Sequence, residues 1–319
     1  MVADYFRKIG NFNAFHKRIM KKNLSLLLAT GLLLAWLAAC DYVDPNDALP
    51  SVVVEVPSGI LDTSFLLKDS VQKSIAIVEE YTGHFCGNCP NAARQAKRLD
   101  SIYNKRLLVL AIHAGYFSEP QTNADGSFGA DFRSEAGNNL DTKFKVSETI
   151  PKGLVNRGRF GGSSTALLAS SSWEGKITEL LAKPDPEFTL YLNAFYNDSA
   201  KQFYARTHVK MRSSFSLPLK MEVYLVEDSI INWQLDYAKQ PQRNPNYLHQ
   251  HILRDGFTPI GGSESPGIAP YPAGKISAGR WVCQLRQGIT RKKCKVIALV
   301  VREDTDEVLH AIEGEIKDQ

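Results

Sequence analysis

Residues 74–99 constrain the fold of this chain more than any other stretch. They begin with the apolar, mostly β-branched run Ile75-Ala76-Ile77-Val78, which is typical of a buried strand. Two cysteines follow, Cys86 and Cys89, and residues 91–99 after them are rich in good helix formers. A strand, a Cys-x-x-Cys pair and a helix in this order predict a redox motif at the start of a helix.

The position of the pair gives each cysteine a different chemistry. The first turn of a helix has unpaired N–H groups and partial positive charge, which stabilise a thiolate. Cys86 is therefore the candidate attacking thiolate, and Cys89 is the candidate resolving thiol. Pro90 fits the first helical turn, where no backbone N–H is needed.

Residues 80–90 resemble the active-site motif of thioredoxin-like proteins. By that resemblance Glu80 stands where these proteins keep a buried acid that moves protons for the resolving cysteine. The chain departs from the pattern at Phe85, where the family has Trp, and at Gly87-Asn88, where it has Gly-Pro. The resemblance implies an α/β thioredoxin-like domain, which we place at residues 71–184.

A second part of the resemblance lies at Ile150-Pro151. Thioredoxin-like folds keep a proline with a cis peptide bond opposite the cysteine pair, just before a strand. Residues 154–156 read as that strand, so the resemblance makes Pro151 part of the catalytic site with Cys86, Cys89 and Glu80. The alternative is an ordinary turn with a trans-proline.

Two other interpretations of the cysteine pair stay open. A Cys-x-x-Cys can be half of a zinc site with His84 nearby, although no second Cys-x-x-Cys or His-x-x-x-His follows. The pair can also form an inert structural disulfide, since a fold does not by itself imply a function. The chain has no Gly-x-Gly-x-x-Gly and no phosphate loop, so we expect no cofactor, and we expect no metal.

Residues 1–39 have the organisation of a bacterial signal peptide. Lys21-Lys22 precede an apolar run at residues 24–37, which is too short for a comfortable membrane span. Leu37-Ala38-Ala39-Cys40 resembles a lipobox, which implies cleavage before Cys40 and a diacylglyceryl, palmitate-bearing cysteine that anchors the protein in a lipid bilayer. The alternatives are an uncleaved signal anchor and, for the start of translation, Met20 in place of Met1.

The charge balance argues against a nucleic-acid partner. Residues 1–39 hold six of the 38 basic and one of the 34 acidic residues, so the remainder carries 32 basic and 33 acidic residues. A chain with this balance has no electrostatic reason to bind nucleic acid. Residues 40–70 begin with an Asp- and Pro-rich run and are predicted to be a tether that leads from the lipid anchor.

Export changes the interpretation of the remaining cysteines. With Cys40 lipidated, four cysteines are left, and an oxidising compartment permits two disulfides among them. Gly288-Ile289 can turn a hairpin in which Cys283 and Cys294 face each other. The sequence leaves open whether these two form a disulfide or remain buried thiols.

The rest of residues 71–184 completes an α/β pattern. The apolar run at residues 107–112 predicts a buried parallel strand, joined to the first strand by a right-handed βαβ connection. His113 ends this strand at the edge where ligands bind, although a hydrogen-bonded strand-end histidine is the commoner case. Helices are predicted within residues 131–144 and 167–181.

Residues 185–319 change to strand periodicity after the linker Lys183-Pro184-Asp185-Pro186. Short alternating runs predict an all-β sandwich of immunoglobulin-like type; they span 188–194, 203–211, 219–226, 296–301 and 308–312. Residues 232–279 interrupt it and are too long for an idle loop, so we expect a binding surface there. His249 and His251 are predicted on one face of a strand, where a structural role is favoured over metal binding.

Taken in order, these motifs resemble the Bacteroidetes outer-membrane lipoproteins related to a twenty-eight-kilodalton outer membrane protein. The resemblance rests on the lipobox, residues 79–90, Ile112-His113-Ala114-Gly115, residues 151–157 and residues 249–254. It implies a lipoprotein attached to the outer membrane, facing either the periplasm or the cell surface. The first hypothesis is a thiol–disulfide oxidoreductase that acts on exported proteins. The second is a non-enzymatic adhesin or receptor-like lipoprotein that binds an envelope or host partner and keeps Cys86–Cys89 as a structural disulfide.

Overall fold

The computed structural model describes residues 71–259 and 261–318. Within the described residues before the 183–186 linker there are three strands and three α-helices. The strands are β1 (Ala76–Thr82), β2 (Leu107–His113) and β3 (Lys152–Val155). The helices are α1 (Cys89–Tyr103), α2 (Glu135–Phe144) and α3 (Trp173–Leu181).

The part after the linker is built of strands. They are β4 (Phe188–Asn197), β5 (Gln202–Met211), β6 (Leu219–Glu227), β7 (Ile230–Leu235), β8 (Arg243–His249), β9 (Ile252–Gly256), β10 (Ile276–Gln284), β11 (Cys294–Arg302) and β12 (Val308–Asp318). Ten strands form one sheet in the order β10-β5-β4-β12-β11-β6-β9-β2-β1-β3, and β7 and β8 form a separate two-stranded hairpin.

Strand β1 lies inside the sheet and is buried along its whole length. It pairs in parallel with β2 and antiparallel with β3, so the predicted βαβ unit is confirmed. Ala76 and Val78 face α1 and α3, whereas Ile77 and Tyr81 face the opposite way, toward α2 and strands of the second part. This period of two places the neighbouring glutamates, Glu79 and Glu80, on opposite faces of the sheet.

Glu79 and Glu80 therefore have different environments. Arg157 lies within 2.7 Å of Glu79 and 2.8 Å of Glu222, and all three side chains are buried. Paired charges of this kind are costly to break, because removal of one partner leaves another charge buried and unpaired. Glu80 faces α1 and has no such partner, a difference that determines the chemistry of the site.

Two apolar layers hold the second part together. Strands β4 and β5 on one side and β6 and β11 on the other contribute to one buried cluster. The opposite faces of β6 and β11 contribute to a second cluster, which includes residues of β1, β2 and α2. The middle strand β6 is accordingly buried at all nine positions, and the two parts of the chain share a sheet and an apolar core.

Several predicted elements are present with small changes of boundary. The five strands predicted after residue 185 correspond to β4, β5, β6, β11 and β12, and the three predicted helices to α1, α2 and α3. Residues 71–318 lie within one compact unit. The assignments of residues 71–184 as thioredoxin-like and of residues 185–319 as immunoglobulin-like stay predictions.

Two sequence predictions are wrong, the hairpin of Cys283 and Cys294 and the shared strand of His249 and His251. Cys283 and Cys294 do not face each other in a hairpin, because β10 pairs with β5 while β11 pairs with β6 and β12, and both cysteines are free, buried thiols. Residues 232–279 hold β8, β9, most of β7 and the start of β10, and the binding surface expected there stays a prediction. His249 and His251 do not share a strand, because His249 ends β8 and His251 has a left-handed φ of 56° in the turn before β9.

Candidate functional site

The cysteine pair lies where β1 passes into α1. Cys86 and Cys89 form a disulfide with a Cα–Cα distance of 5.4 Å. Cys89 is the first residue of α1 and Pro90 follows it in the first turn, as the sequence predicts. The exposed fraction is 4% for Cys86 and 1% for Cys89, so the disulfide is almost fully buried.

A cavity of about 230 Å³ lies beside the first turns of α1, against the face of β1 and β2 that α1 covers. Glu80 and Pro90 both line it, so the carboxyl shares one cavity with the residue next to Cys89. Glu80 is 3% exposed and its Oε1 atom has no hydrogen-bond partner among the described residues. Burial raises the pKa of Glu80 to about 8, because a charged carboxylate loses its hydration there.

His113 is a second buried polar group in the same cavity. It pairs with Thr82 in the parallel register of β1 and β2, on the same face as Glu80. Neither ring nitrogen has a hydrogen-bond partner in the described part of the chain, which is the opposite of the hydrogen-bonded role expected for a strand-end histidine. Burial and the neighbouring His249 hold the pKa of His113 well below its ordinary value, so its ring is neutral near pH 7.

The hairpin of β7 and β8, residues 230–249, lies on the loop that carries the cysteines; we call it the arm. The backbone N–H of Leu235 donates to the carbonyl of His84 at 2.8 Å, and that of Tyr237 donates to the carbonyl of Gly87 at 2.8 Å. Between them, the side chain of Gln234 donates to the carbonyls of Gly83 and Cys86, each at 3.2 Å. The arm thus satisfies four carbonyls in the five-residue span 83–87.

Side chains hold the arm in place from two sides. Asp236 accepts from Arg94 of α1 at 2.8 Å, and the Asp236 side chain is only 3% exposed. The guanidinium keeps the pKa of Asp236 below its usual range despite partial burial. On the other side Trp233 packs against Phe128 at 5.8 Å and His249 against Phe132 at 4.9 Å between ring centroids.

A glycine within the pair allows this close approach. Gly87 lies beneath the ring of Tyr237, and a Cβ added there would be 2.6 Å from several ring carbons. The ring itself is half exposed, at 54%. The Gly-Asn dipeptide, a departure from the thioredoxin pattern in its second residue, thus gives Tyr237 a flat surface on which to lie.

The remaining predicted residues lie in different places. The Ile150-Pro151 bond is cis, as predicted. His84 is buried, and its Nε2 donates to the carbonyl of Glu119 at 3.2 Å. His251 contacts Asp228 at 3.3 Å and, with His249, lines the cavity that Glu80 and Pro90 also line. Across residues 71–259 and 261–318, no group of three or more His, Cys, Asp or Glu residues has a geometry suited to a metal ion.

Sequence reasoning did not identify Gln234 and Asp236 as residues of the site. Both contact loop or helix positions more than 140 residues earlier, so no local pattern connects them with the cysteines. A weak signal was available, because the length of residues 232–279 already indicated a role beyond a connecting loop.

Comparison with known proteins gives the family. Residues 137–319 match the family described as outer membrane protein Omp28. The chain belongs to the Omp28 family. The predicted location, an outer-membrane lipoprotein, is thereby confirmed, while Cys40, the predicted site of lipidation, lies outside the described residues.

Two solved structures from Porphyromonas gingivalis resemble this Omp28-family chain. HBP35 is 16% identical, with 78% of this chain and 77% of that chain covered and a TM-score of 0.53, which indicates a shared fold. A domain of the outer membrane lipoprotein Omp28 is 18% identical, with 43% of this chain and 93% of that chain covered and a TM-score of 0.29. A search of curated proteins found no match.

The described residues give no membrane-spanning helix. None of the helices within residues 71–259 and 261–318 has both the length and the apolar character that crossing a bilayer requires.

Proposed function

We propose that this Omp28-family protein is a membrane-anchored, thioredoxin-like thiol–disulfide oxidoreductase that acts on proteins of the cell envelope. The observation that carries the proposal is Glu80, a buried carboxyl whose Oε1 atom has no hydrogen-bond partner among the described residues, in the cavity next to the cysteine helix. A carboxyl in that position is costly to bury, and a disulfide with a purely structural role has no need of it. The anchor in this proposal is the diacylglyceryl group on Cys40.

The exchange uses the disulfide as the electron acceptor. A thiolate of a partner dithiol attacks the Cys86 sulfur, the Cys86–Cys89 bond breaks, and Cys89 leaves as a thiolate that takes up a proton. The second partner thiolate then attacks the mixed disulfide, and Cys86 leaves and is protonated in turn. Two electrons and two protons pass from the partner to the pair, and the partner gains a disulfide. The reverse reaction runs through the same bonds.

Glu80 supplies the proton in this scheme. Its pKa of about 8 means that the group is mostly protonated at neutral pH yet able to give up its proton there. The cavity of about 230 Å³ has room for water between the carboxyl and Pro90, the residue that follows Cys89. Pro151, with its cis bond, is assigned to the groove that holds the partner, as the family resemblance implies.

The test is the reduction potential of the Cys86–Cys89 pair in glutathione redox buffers, with the full-length protein in detergent. We expect a value between about −270 and −120 mV, the range of thioredoxin-like oxidoreductases. We also expect Glu80→Gln to slow the protonation-dependent step and to remove the change in exchange rate near pH 8. Glu148→Gln, which removes an exposed carboxyl, is the control.

A second function is favoured by one observation, the burial of both cysteines. In this alternative Cys86–Cys89 is a structural disulfide and the protein is a non-enzymatic adhesin or receptor-like lipoprotein. A potential below about −300 mV, where disulfides resist the glutathione pool, would establish this alternative and reject the oxidoreductase. An ordinary thiol pKa for Cys86, measured by alkylation of the reduced protein at different pH values, would point the same way.

A further inference from the structure

The burial of Cys86 restricts the access of a partner thiolate to the disulfide. A partner thiolate must reach the Cys86 sulfur, yet Cys86 is 4% exposed. The residues that lie on its loop belong to the arm rather than to the sheet, and in the described part of the chain β7 and β8 pair only with each other. The group over the disulfide is therefore a two-stranded hairpin outside the main sheet.

The arm contacts the loop through backbone groups at the end of β7 and in the turn that follows it. Leu235, the last residue of β7, and Tyr237, in the turn, donate their backbone N–H groups to the carbonyls of His84 and Gly87. Backbone N–H groups that donate to the carbonyls of another segment are also a means by which polypeptides are recognised. These backbone hydrogen bonds depend on no particular side chain, so a polypeptide segment that follows the same path can donate to the same carbonyls.

We propose that the arm covers the disulfide and occupies the binding site of the polypeptide partner on the cysteine loop. The partner is a segment of a polypeptide, and its backbone N–H groups replace those of Leu235 and Tyr237 when the arm lifts. This inference rests on the proposed function for the identity of the reaction, while the cover itself rests on the contacts of residues 234–237. The main contact between the arm and α1 is the Arg94–Asp236 ion pair.

The direct test is the rate at which a small phosphine reduces the Cys86–Cys89 disulfide in the folded, full-length protein. Asp236→Asn removes the ion pair with Arg94, and Gln234→Leu removes the two side-chain hydrogen bonds to the loop. We expect each variant to be reduced at least tenfold faster than the wild type, which corresponds to about 1.4 kcal/mol in the opening of the arm.

A matched control is present on the same helix. Arg98 of α1 pairs with Glu174 of α3 at 2.5 Å, on the surface and away from the arm. Arg98→Gln also removes an ion pair of α1, and we expect it to leave the reduction rate within twofold of the wild type. If Arg98→Gln and Asp236→Asn accelerate phosphine reduction equally, the proposal that the arm covers the disulfide is overturned, because the effect would then come from a looser helix.

Hydrogen exchange gives a measurement that needs no variant. If the arm lifts as a unit, the amides of Leu235 and Tyr237 exchange together, and faster than the amides of β1. If these two amides exchange only when the whole protein unfolds, the proposal is overturned. This measurement uses the wild-type protein, so it does not depend on whether a variant folds.

The partner class is tested with a second probe, a reduced and unfolded polypeptide that carries two thiols. We expect Asp236→Asn to accelerate exchange with this probe more than reduction by the phosphine, because the polypeptide also needs the loop carbonyls. If Asp236→Asn accelerates the two reactions equally, the proposal that a polypeptide binds to the loop carbonyls is rejected.

The outcomes separate this inference from the proposed function. Faster phosphine reduction of Asp236→Asn together with a potential below about −300 mV would keep the cover and reject the oxidoreductase. A potential in the range of oxidoreductases together with unchanged phosphine rates would reject the cover and keep the enzyme.

Discussion

The buried carboxyl of Glu80 gives the sharpest quantitative prediction. Its pKa rises from 4.5 to about 8 on folding, because burial removes the hydration of the carboxylate. Between these values the unfolded chain releases the proton and the folded chain keeps it, so rising pH favours unfolding. Each pH unit in this window lowers the stability by about 1.4 kcal/mol, which amounts to about 3 kcal/mol at pH 7 and about 5 kcal/mol above pH 8.

Glu80→Gln removes this dependence, since an amide does not titrate. We expect the variant to gain stability over the wild type as the pH rises from 4.5 to 8, and the gain to stay constant above pH 8. The assay is urea unfolding of both proteins, with the disulfide intact, at pH values from 4 to 9. The buried amide adds an offset of its own, so the pH slope of the difference is the quantity to compare.

The control and the refutation follow from the same titration. Glu148→Gln removes an exposed carboxyl and controls for the loss of one negative charge. The buried histidines titrate equally in the wild type and in Glu80→Gln, so they cancel in the difference. A difference that changes by less than about 0.5 kcal/mol between pH 5 and pH 8 would refute a buried, strongly perturbed Glu80.

Three further predictions concern the rest of the molecule. Arg157→Met removes the buried guanidinium that pairs with Glu79 and with Glu222, which keeps only Lys220 at 3.6 Å as a described ion-pair partner, so we expect denaturant titration to show a loss of about 3–5 kcal/mol, and a loss below about 1 kcal/mol would contradict the paired network. Gly153→Ala places a Cβ 2.6 Å from a backbone carbonyl oxygen and should lower the melting temperature, whereas Gly175→Ala, in α3 with nothing within 4 Å, should raise it; shifts of the same sign would contradict the packing. Burial raises the pKa of the Cys283 thiol and raises that of Cys294 to about 12, so neither should react with iodoacetamide at pH 8 until the protein unfolds, as peptide mass spectrometry can check.

The sequence predicted the parts of the fold that local periodicity determines. Strand β1 and helix α1 were predictable because an apolar run and a run of helix formers flank the two cysteines. The different environments of Glu79 and Glu80 were predictable in principle, because neighbours on a strand point to opposite faces. The resemblance to thioredoxin-like proteins supplied Glu80 and Pro151, which no local pattern would have selected.

The arm could not be predicted, for physical reasons. Strand β8 contains Pro245 and two asparagines and is mostly exposed, so it lacks the apolar alternation that identifies a strand. Gln234 contributes through hydrogen bonds to carbonyls 148 and 151 residues away. Only the contact between distant segments brings these groups together, and the composition of residues 232–279 does not predict that contact.

The apolar layer that both parts of the chain share determines whether the protein falls apart after proteolytic cleavage between them. Lys183 and Pro184, between α3 and β4, are exposed to such an enzyme. Cleavage there cuts one covalent link but leaves β9 paired with both β2 and β6, and it leaves the cluster that joins β1 and β2 to β6 and β11 intact. The protein would therefore persist as a nicked complex, and its two fragments would separate only in denaturant.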